Sequence, residues 1–466
     1  MRGLPRELAC CVKPLATKID AEAVHSYCVI QPIYRLDIDC VALHDTQYGA
    51  ARWSPSGNPA TDNTDTVPTR SASFQGGRHM STPQGAPKMN VTVQSNISDG
   101  PAEAAEDRHR YDADAIKDLT SKIAQGYGLS EHDGDIVAEV LSFADTHGID
   151  SHGLQRFQLY DAQMGNKIDP TAKSEVVVDT TVSTVIDGHR SMGQLNGRQA
   201  MDATIAKAKK TGMAIAAVRH SCHYGAAGYY ANLAAEQGLI GFSVTNTEPA
   251  VYPLYANDVW LGTNPIACAI PTQPHTFFFD ASTSVVAYGK VELYSKQRKD
   301  LPAAWAVDPD NKPIYDSTDA LSRLMRYNNE AGLLATGGNS EYTGGHKGYG
   351  FSVLVEFFSG IVSQGATTDR TAVGDPVEGI SHGFMAIDPK IFGDADTILR
   401  NFSDYLDEIR NLHAVPGKRI YVHGDKEAEA YEDRIANGVP LYHKTVVELC
   451  DICDRLGVDY TGVLDH

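Results

Sequence analysis

Met213-Ala214-Ile215-Ala216-Ala217-Val218-Arg219-His220-Ser221-Cys222-His223-Tyr224-Gly225-Ala226-Ala227-Gly228-Tyr229-Tyr230 begins the stretch, running on to Thr247, that decides the fold. Residues 213–218 are an apolar run long enough for a buried strand and too short for a helix on its own. Residues 219–225 read as a polar loop carrying two histidines. From 226 to 236 the pattern turns helical, with Tyr230, Leu233 and Ala234 as an apolar stripe and Gly238 as the stop. Residues 239–244 are a second buried-strand run, closed by Thr245-Asn246-Thr247. Strand, loop, helix, strand predicts a βαβ unit with parallel strands.

Such a unit says where chemistry belongs. Ligands of open α/β sheets bind beyond the carboxyl ends of strands, where loops enter helix N-termini. His223 falls in that loop. Free N–H groups at the helix end would favour a bound anion and keep a nearby imidazole neutral, as a general base requires. The small residues Gly225, Ala226, Ala227 and Gly228 would let a ligand approach the backbone. On this loop alone a histidine capping its own helix remains the competing reading.

The whole chain bounds the function class. Its 466 residues suffice for two or three domains with a large core. A net charge of −19 speaks against a nucleic-acid-binding surface and suits an acidic enzyme. No run reaches eighteen apolar residues, so no membrane span is expected. The N-terminus carries Arg2, Arg6, Lys13 and Lys18 with Glu7 but no apolar segment behind them, unlike a secretory signal. The eight cysteines lack the spacing of a disulfide framework, and a cytoplasmic location is expected. Cys450 and Cys453 stand three apart on an amphipathic pattern and read as core residues rather than metal ligands.

Along the chain, Ser, Thr, Pro, Gly and Asn crowd residues 53–100 without any sustained period, so residues 1–105 are expected to be a disordered extension, with Met80 and Met89 as alternative starts. Helices follow. Ile116, Leu119 and Ile123 keep helical spacing over 112–124, and Ser130 with Asp133 reads as an N-cap. In Thr146-His147-Gly148-Ile149-Asp150-Ser151-His152-Gly153-Leu154-Gln155-Arg156, Ser151 would cap a helix placing His152 and Arg156 on one face. Residues 197–210 read as a helix with Met201, Ile205 and Ala208 inside, closed by Gly212. Strands are expected at 266–270, 277–279 and 383–387, and C-terminal helices near 398–412 and 445–456. Residues 337–350 form a glycine-rich loop with Lys347, followed by an apolar helix over 351–361; loop, lysine and helix end together suit a phosphate or carboxylate. It is not a Walker loop, since no Ser or Thr follows Lys347.

Four stretches together resemble the malate/L-lactate dehydrogenase family that lacks the Rossmann fold. They are His147-Gly148-Ile149-Asp150-Ser151-His152-Gly153 with Arg156, Ser221-Cys222-His223-Tyr224-Gly225, Gly262-Thr263-Asn264-Pro265, and Gly345-His346-Lys347-Gly348-Tyr349-Gly350. No Gly-x-Gly-x-x-Gly follows a strand, as an ordinary Rossmann enzyme would show. The resemblance implies a non-Rossmann α/β fold, with helical N- and C-terminal parts packed around an α/β cofactor domain. The expected parts are 106–180, 181–390 and 391–466. It implies NAD or NADP as cofactor, a small 2-hydroxy or 2-oxo acid as substrate, and a homodimer. His223 matches the family's catalytic histidine and Arg156 its carboxylate-binding arginine, while Ser151 and His152 match residues of the same pocket. His223, Tyr224, Gly225, Ala226, Ala227, Thr247, Asp280, Ala281, Ser282 and Lys347 fall where members contact the dinucleotide or active site. Cys222 stands where the family often has Asn, and Asp280-Ala281-Ser282 replaces the commoner Asp-Met-Ala.

Two rival readings are weighed against this. A metal hydrolase could use His147, His152, His220 and His223, but His147 and His152, five apart, do not share a helix face, and there is no His-Glu-x-x-His. An inactive cofactor-binding regulator would have no need of both His223 and Arg156.

Overall fold

The computed structural model describes residues 108–464, apart from 326–327 and 375–376. The expected extension, residues 1–105, lies outside the described residues. Strand β1 (Arg108–Tyr111) leads into helices α1 (Ala113–Gly126) and α2 (Glu131–Thr146). Ser130 caps α2 as expected, its hydroxyl accepting the Asp133 N–H at 3.2 Å.

The next segment departs from expectation, because Ser151 caps no helix. Asp150–His152 and Leu154–Arg156 are single 3₁₀ turns ahead of α3 (Phe157–Gln163), and Ser151 Oγ bonds His152 Nδ1 at 2.8 Å. The buried Asp145 carboxyl explains this. It accepts the Leu154 N–H at 2.8 Å, and a Cβ on Gly153 would come within 1.8 Å of its Oδ1. The chain is pinned against α2 before it can coil.

The central region runs β2 (Glu175–Asp179), β3 (Ser183–Asp187), α4 (Gly193–Thr211), β4 (Met213–Ser221), α5 (Ala227–Ala235) and β5 (Ile240–Thr245). Then come β6 (Val251–Tyr252), β7 (Ile266–Ile270), β8 (Phe277–Ala281), α6 (Tyr288–Gln297), β9 (Ala306–Val307), α7 (Ser317–Leu324) and β10 (Gly332–Leu334). The chain ends with α8 (Gly345–Glu356), β11 (Ile380–Ile387), α9 (Ala395–Arg410), α10 (Asp425–Asn437), β12 (Val439–Tyr442) and α11 (His443–Leu456).

The predicted strand–loop–helix–strand forms as β4, α5 and β5, and the two strands run in the same direction. They do not pair with each other, because the sheet order is β2-β3-β4-β11-β5-β7-β8. Strand β11 lies between β4 and β5 and is antiparallel to both, with Met385 opposite Ile215 on one side and Phe242 on the other. In this sheet only β3 and β4 pair in parallel. A strand arriving about 160 residues later leaves no trace in the local pattern. Helices α4 and α5 cover one face, where Met201, Ile205, Tyr230 and Ala234 pack on Val218, Ala269 and Phe384. The α8 helix continues as a π-helical turn, Phe357–Ile361, against the β11 strand. Gly383 makes that approach possible, since a Cβ there would lie 2.1 Å from the Phe358 carbonyl oxygen. The expected 351–361 helix thus begins six residues early, with Gly345 to Gly348 as its first turn rather than as a loop.

The chain's two described ends meet. β1 and β12 pair antiparallel, and Ile116, Leu119, Ile123 and Phe157 share one core with Val446, Leu449, Ile452 and Cys453. Cys453 is fully buried there and Cys450 packs against it, both as free thiols. Helix α10 and the small sheet β6-β10-β9 were not expected from sequence.

Candidate active site

His223 sits in the loop between the end of β4 and the start of α5. Gly225 turns the chain there at φ +86°, a conformation that favours glycine, and its N–H points at His223 Nδ1 from 3.3 Å. The Tyr160 hydroxyl reaches the same nitrogen at 2.9 Å. Behind it, Gln194 Nε2 donates to Tyr160 Oη at 2.8 Å. The His152 ring stacks on His223 with centroids 5.5 Å apart.

His223, Gly225 and His152 line an open cleft, while Tyr160 and Gln194 stand behind it. One wall is made by Arg156 from the turn before α3, Leu159 and Gln163 of α3, and Lys167 in the turn beyond it. Thr245 and Thr247 at the end of β5, and Thr263, supply hydroxyls. Helix α6 adds Tyr288, Gly289 and Glu292. Two ion pairs stand in the lining: Arg156 with Glu292, and Lys167 with Glu248. The Arg156 Nε–H is buried with no hydrogen-bond partner among the described residues.

Electrostatics keep the histidines neutral. Burial holds His223 well below the usual imidazole value, helped by His152, Arg156 and His382. Burial, with Arg156 nearby, lowers His152 to about 3. A neutral imidazole with one nitrogen tied behind it is suited to exchange a proton through the other. Burial pushes the Cys222 thiol up to about 12, and its Sγ–H donates to the Lys167 carbonyl at 3.3 Å, so it is no nucleophile here.

Behind the loop stands His382 of β11, which the sequence reading passed over. Its Nε2 is 2.8 Å from Ser221 Oγ, its Nδ1 is 2.7 Å from Thr245 Oγ1, and its ring stacks on Tyr224 at 4.3 Å. The one available signal was a Ser-His pair at the head of an apolar run. Tyr160, Gln194, Lys167, Glu248 and Glu292 were missed as well.

The other expected residues fall in different places. Ser151 bonds His152 beside Gly289, and Thr247, Tyr224 and Gly225 line the cleft. Ala226 and Ala227 are buried at the start of α5. The α5 end is not open to an outside anion at Gly228, whose N–H is taken by Asp280 Oδ2 at 2.7 Å. Burial raises that carboxyl to about 6. Ala281 and Ser282 follow it at the end of β8, half-buried and outside the cleft lining, and Lys347 is exposed on the first turn of α8. Asn264 clamps the wall from inside: its Oδ1 accepts the Thr247 N–H at 3.2 Å and its Nδ2 donates to Glu356 at 2.8 Å.

The four imidazoles of the hydrolase reading do not converge. His147 stacks on Phe143 and His220 bonds Asp187, leaving His152 and His223 as the pair in the cleft. Among the described residues no helix is long and apolar enough to cross a membrane.

Residues 111–450 match a family model described as malate/L-lactate dehydrogenase. The malate dehydrogenase of Pyrococcus abyssi is 37% identical over 352 residues, covering 75% of this chain and 95% of that protein. The L-sulfolactate dehydrogenase of Methanocaldococcus jannaschii is 34% identical over 353 residues, 75% of this chain and 98% of that one. The crystal structure of malate dehydrogenase from Entamoeba histolytica superimposes with a TM-score of 0.72 at 33% identity, covering 76% of this chain and 99% of that one. The chain therefore belongs to the malate/L-lactate dehydrogenase family and is an oxidoreductase of its NAD(P)-dependent 2-hydroxy-acid dehydrogenase class.

Proposed function

We propose that this chain interconverts a small 2-hydroxy acid and its 2-oxo acid, with His223 exchanging the hydroxyl proton and Arg156 binding the C1 carboxylate. One observation carries the reading: a neutral histidine and a buried arginine line the same cleft. A carboxylate that displaces Glu292 would occupy both edges of the Arg156 fork and place C2 near His223. Gly225, Thr247 and the neighbouring hydroxyls Thr245 and Thr263 fit a nicotinamide, whose ring and carboxamide ask for a flat slot with a few hydrogen-bonding groups. When bound, NAD(P) supplies the hydride acceptor or donor. Everything else the chain does is to orient, bind and move one proton.

The substrate class follows from the second cation. Lys167 lines the same cleft, countered by Glu248, so an acid with anionic groups at both ends finds a partner for each. This favours a malate-type acid over a lactate-type one. A homodimer is supported by Phe351, Leu354, Phe358 and Ile361, which are 43–53% exposed along one face of α8 and its continuation. The test is the absorbance of NADH and NADPH during incubation with oxaloacetate, pyruvate and related 2-oxo acids. Cofactor oxidation with oxaloacetate is expected. Cofactor binding without turnover of any acid would favour the regulator reading instead.

A further inference from the structure

The arrangement behind His223 constrains its proton. Tyr160 and Gln194 are fully buried, on α3 and the first turn of α4. Gln194 Nε2 donates to Tyr160 Oη at 2.8 Å, so the phenolic hydrogen is directed to His223 Nδ1 at 2.9 Å. The Gly225 N–H points at the same nitrogen. With Nδ1 accepting, a neutral His223 carries its hydrogen on Nε2, where it cannot take one up. At the same time Gln194 Oε1 is buried with no partner among the described residues. A half-turn of the amide brings that oxygen onto the Tyr160 hydroxyl and leaves the amide N–H groups in its former place.

After that half-turn the protons run the other way. Gln194 Oε1 accepts the Tyr160 hydrogen, Tyr160 Oη accepts from His223 Nδ1–H, the Gly225 N–H gives up its 3.3 Å contact with Nδ1, and Nε2 presents a lone pair. A substrate hydroxyl can then pass its proton to Nε2 as its O–H bond breaks, giving an imidazolium whose Nδ1–H stays bonded to Tyr160. The reverse step returns that proton and leaves the Nδ1–H tautomer. The charge balances at each stage, with neither an imidazolate nor a tyrosinate formed. We infer that Tyr160 and Gln194 are a positioning pair that sets the tautomer of His223, the working form presenting Gln194 Oε1 to Tyr160. This rests on the proposed role of His223.

The test compares Tyr160→Phe, Gln194→Met and Gln194→Glu with the parent and with His223→Ala. Glutamate can only accept when ionised, so it imitates the working amide. Tyr160→Phe and Gln194→Met should lower kcat for oxidation by ~10- to 100-fold, a fraction of the full general-base effect, with KM little changed. Gln194→Glu should lose less kcat than Gln194→Met and move the acid limb of the pH profile upward, because a carboxylate favours the imidazolium. Nitrogen-15 spectra should place the His223 hydrogen on Nδ1 in Gln194→Glu and on Nε2 in Gln194→Met. An unmoved acid limb and an Nε2–H tautomer in Gln194→Glu would overturn the inference, whether or not the other variants fold. Activity surviving in His223→Ala would instead remove the reading on which it rests.

Discussion

Arg156 and Glu292 form an ion pair within the cleft that His223 faces. The guanidinium comes from the turn before α3 and the carboxylate from α6, so two separate elements meet at the point where the substrate's acid group is proposed to bind. Glu292 is therefore an internal competitor. It satisfies one edge of the arginine and leaves the buried Nε–H unpaired.

Removing the competitor should tighten substrate binding. Glu292→Gln is expected to lower KM for the 2-oxo acid by ~3- to 10-fold, about 1 kcal/mol, through the bidentate contact it frees. Arg156→Lys should raise KM and lower kcat/KM, because an ammonium cannot make the paired contact. Steady-state kinetics check both. An unchanged KM in each variant would detach Arg156 from substrate binding.

The second cation predicts a specificity split. Lys167→Met should raise KM for oxaloacetate by ~10-fold or more and leave pyruvate within ~2-fold, since only a dianion loses a partner. If KM for NADH rises equally with both acids, Lys167 serves the cofactor and the malate-type preference has lost its support.

Much of this was legible in the chain and some was not. Ser130, the stripe Ile116, Leu119 and Ile123, and the Gly212 stop behave as local chemistry dictates, because their partners lie within a few residues. The strand over 213–218 and the loop histidine were likewise readable. The insertion of β11 between β4 and β5 was hidden, as pairing partners separated by more than a hundred residues impose no local period. For the same reason Tyr160, Gln194 and His382 escaped notice, being buried polar residues whose function is set by what reaches them in space. Ser151 misled because Asp145, six residues upstream, takes the Leu154 N–H and pins the turn.

Acid stability should report the buried histidines. Burial lowers His152 and His382 to about 3, so between the unfolded value near 6.5 and that point the unfolded chain binds protons the folded one refuses. Their contribution is fully present above pH 6.5 and is lost as pH falls toward 3, by at most ~1.4 kcal/mol per pH unit for each. Asp145, which burial raises to about 8, acts in the opposite sense: its contribution is present below the unfolded value near 3.8 and is lost as pH rises through 8. His382→Gln should flatten the fall of the melting temperature below pH 6.5. An identical slope in parent and variant would contradict this.

The exposed face of α8 predicts an assembly. Phe351→Glu or Leu354→Glu should shift the particle mass measured by light scattering from two chains toward one, since each such side chain is worth ~1.5–3 kcal/mol when fully buried. A parent already of one chain's mass would remove the dimer.

The central claim is that His223 moves the substrate proton, and His223→Ala tests it most directly. Turnover followed at the reduced-nicotinamide absorbance band should fall by ~10²- to 10⁴-fold, the usual contribution of a general acid–base group, while NADH titration shows cofactor binding retained. Near-parental turnover in a folded, cofactor-binding His223→Ala protein would contradict the account.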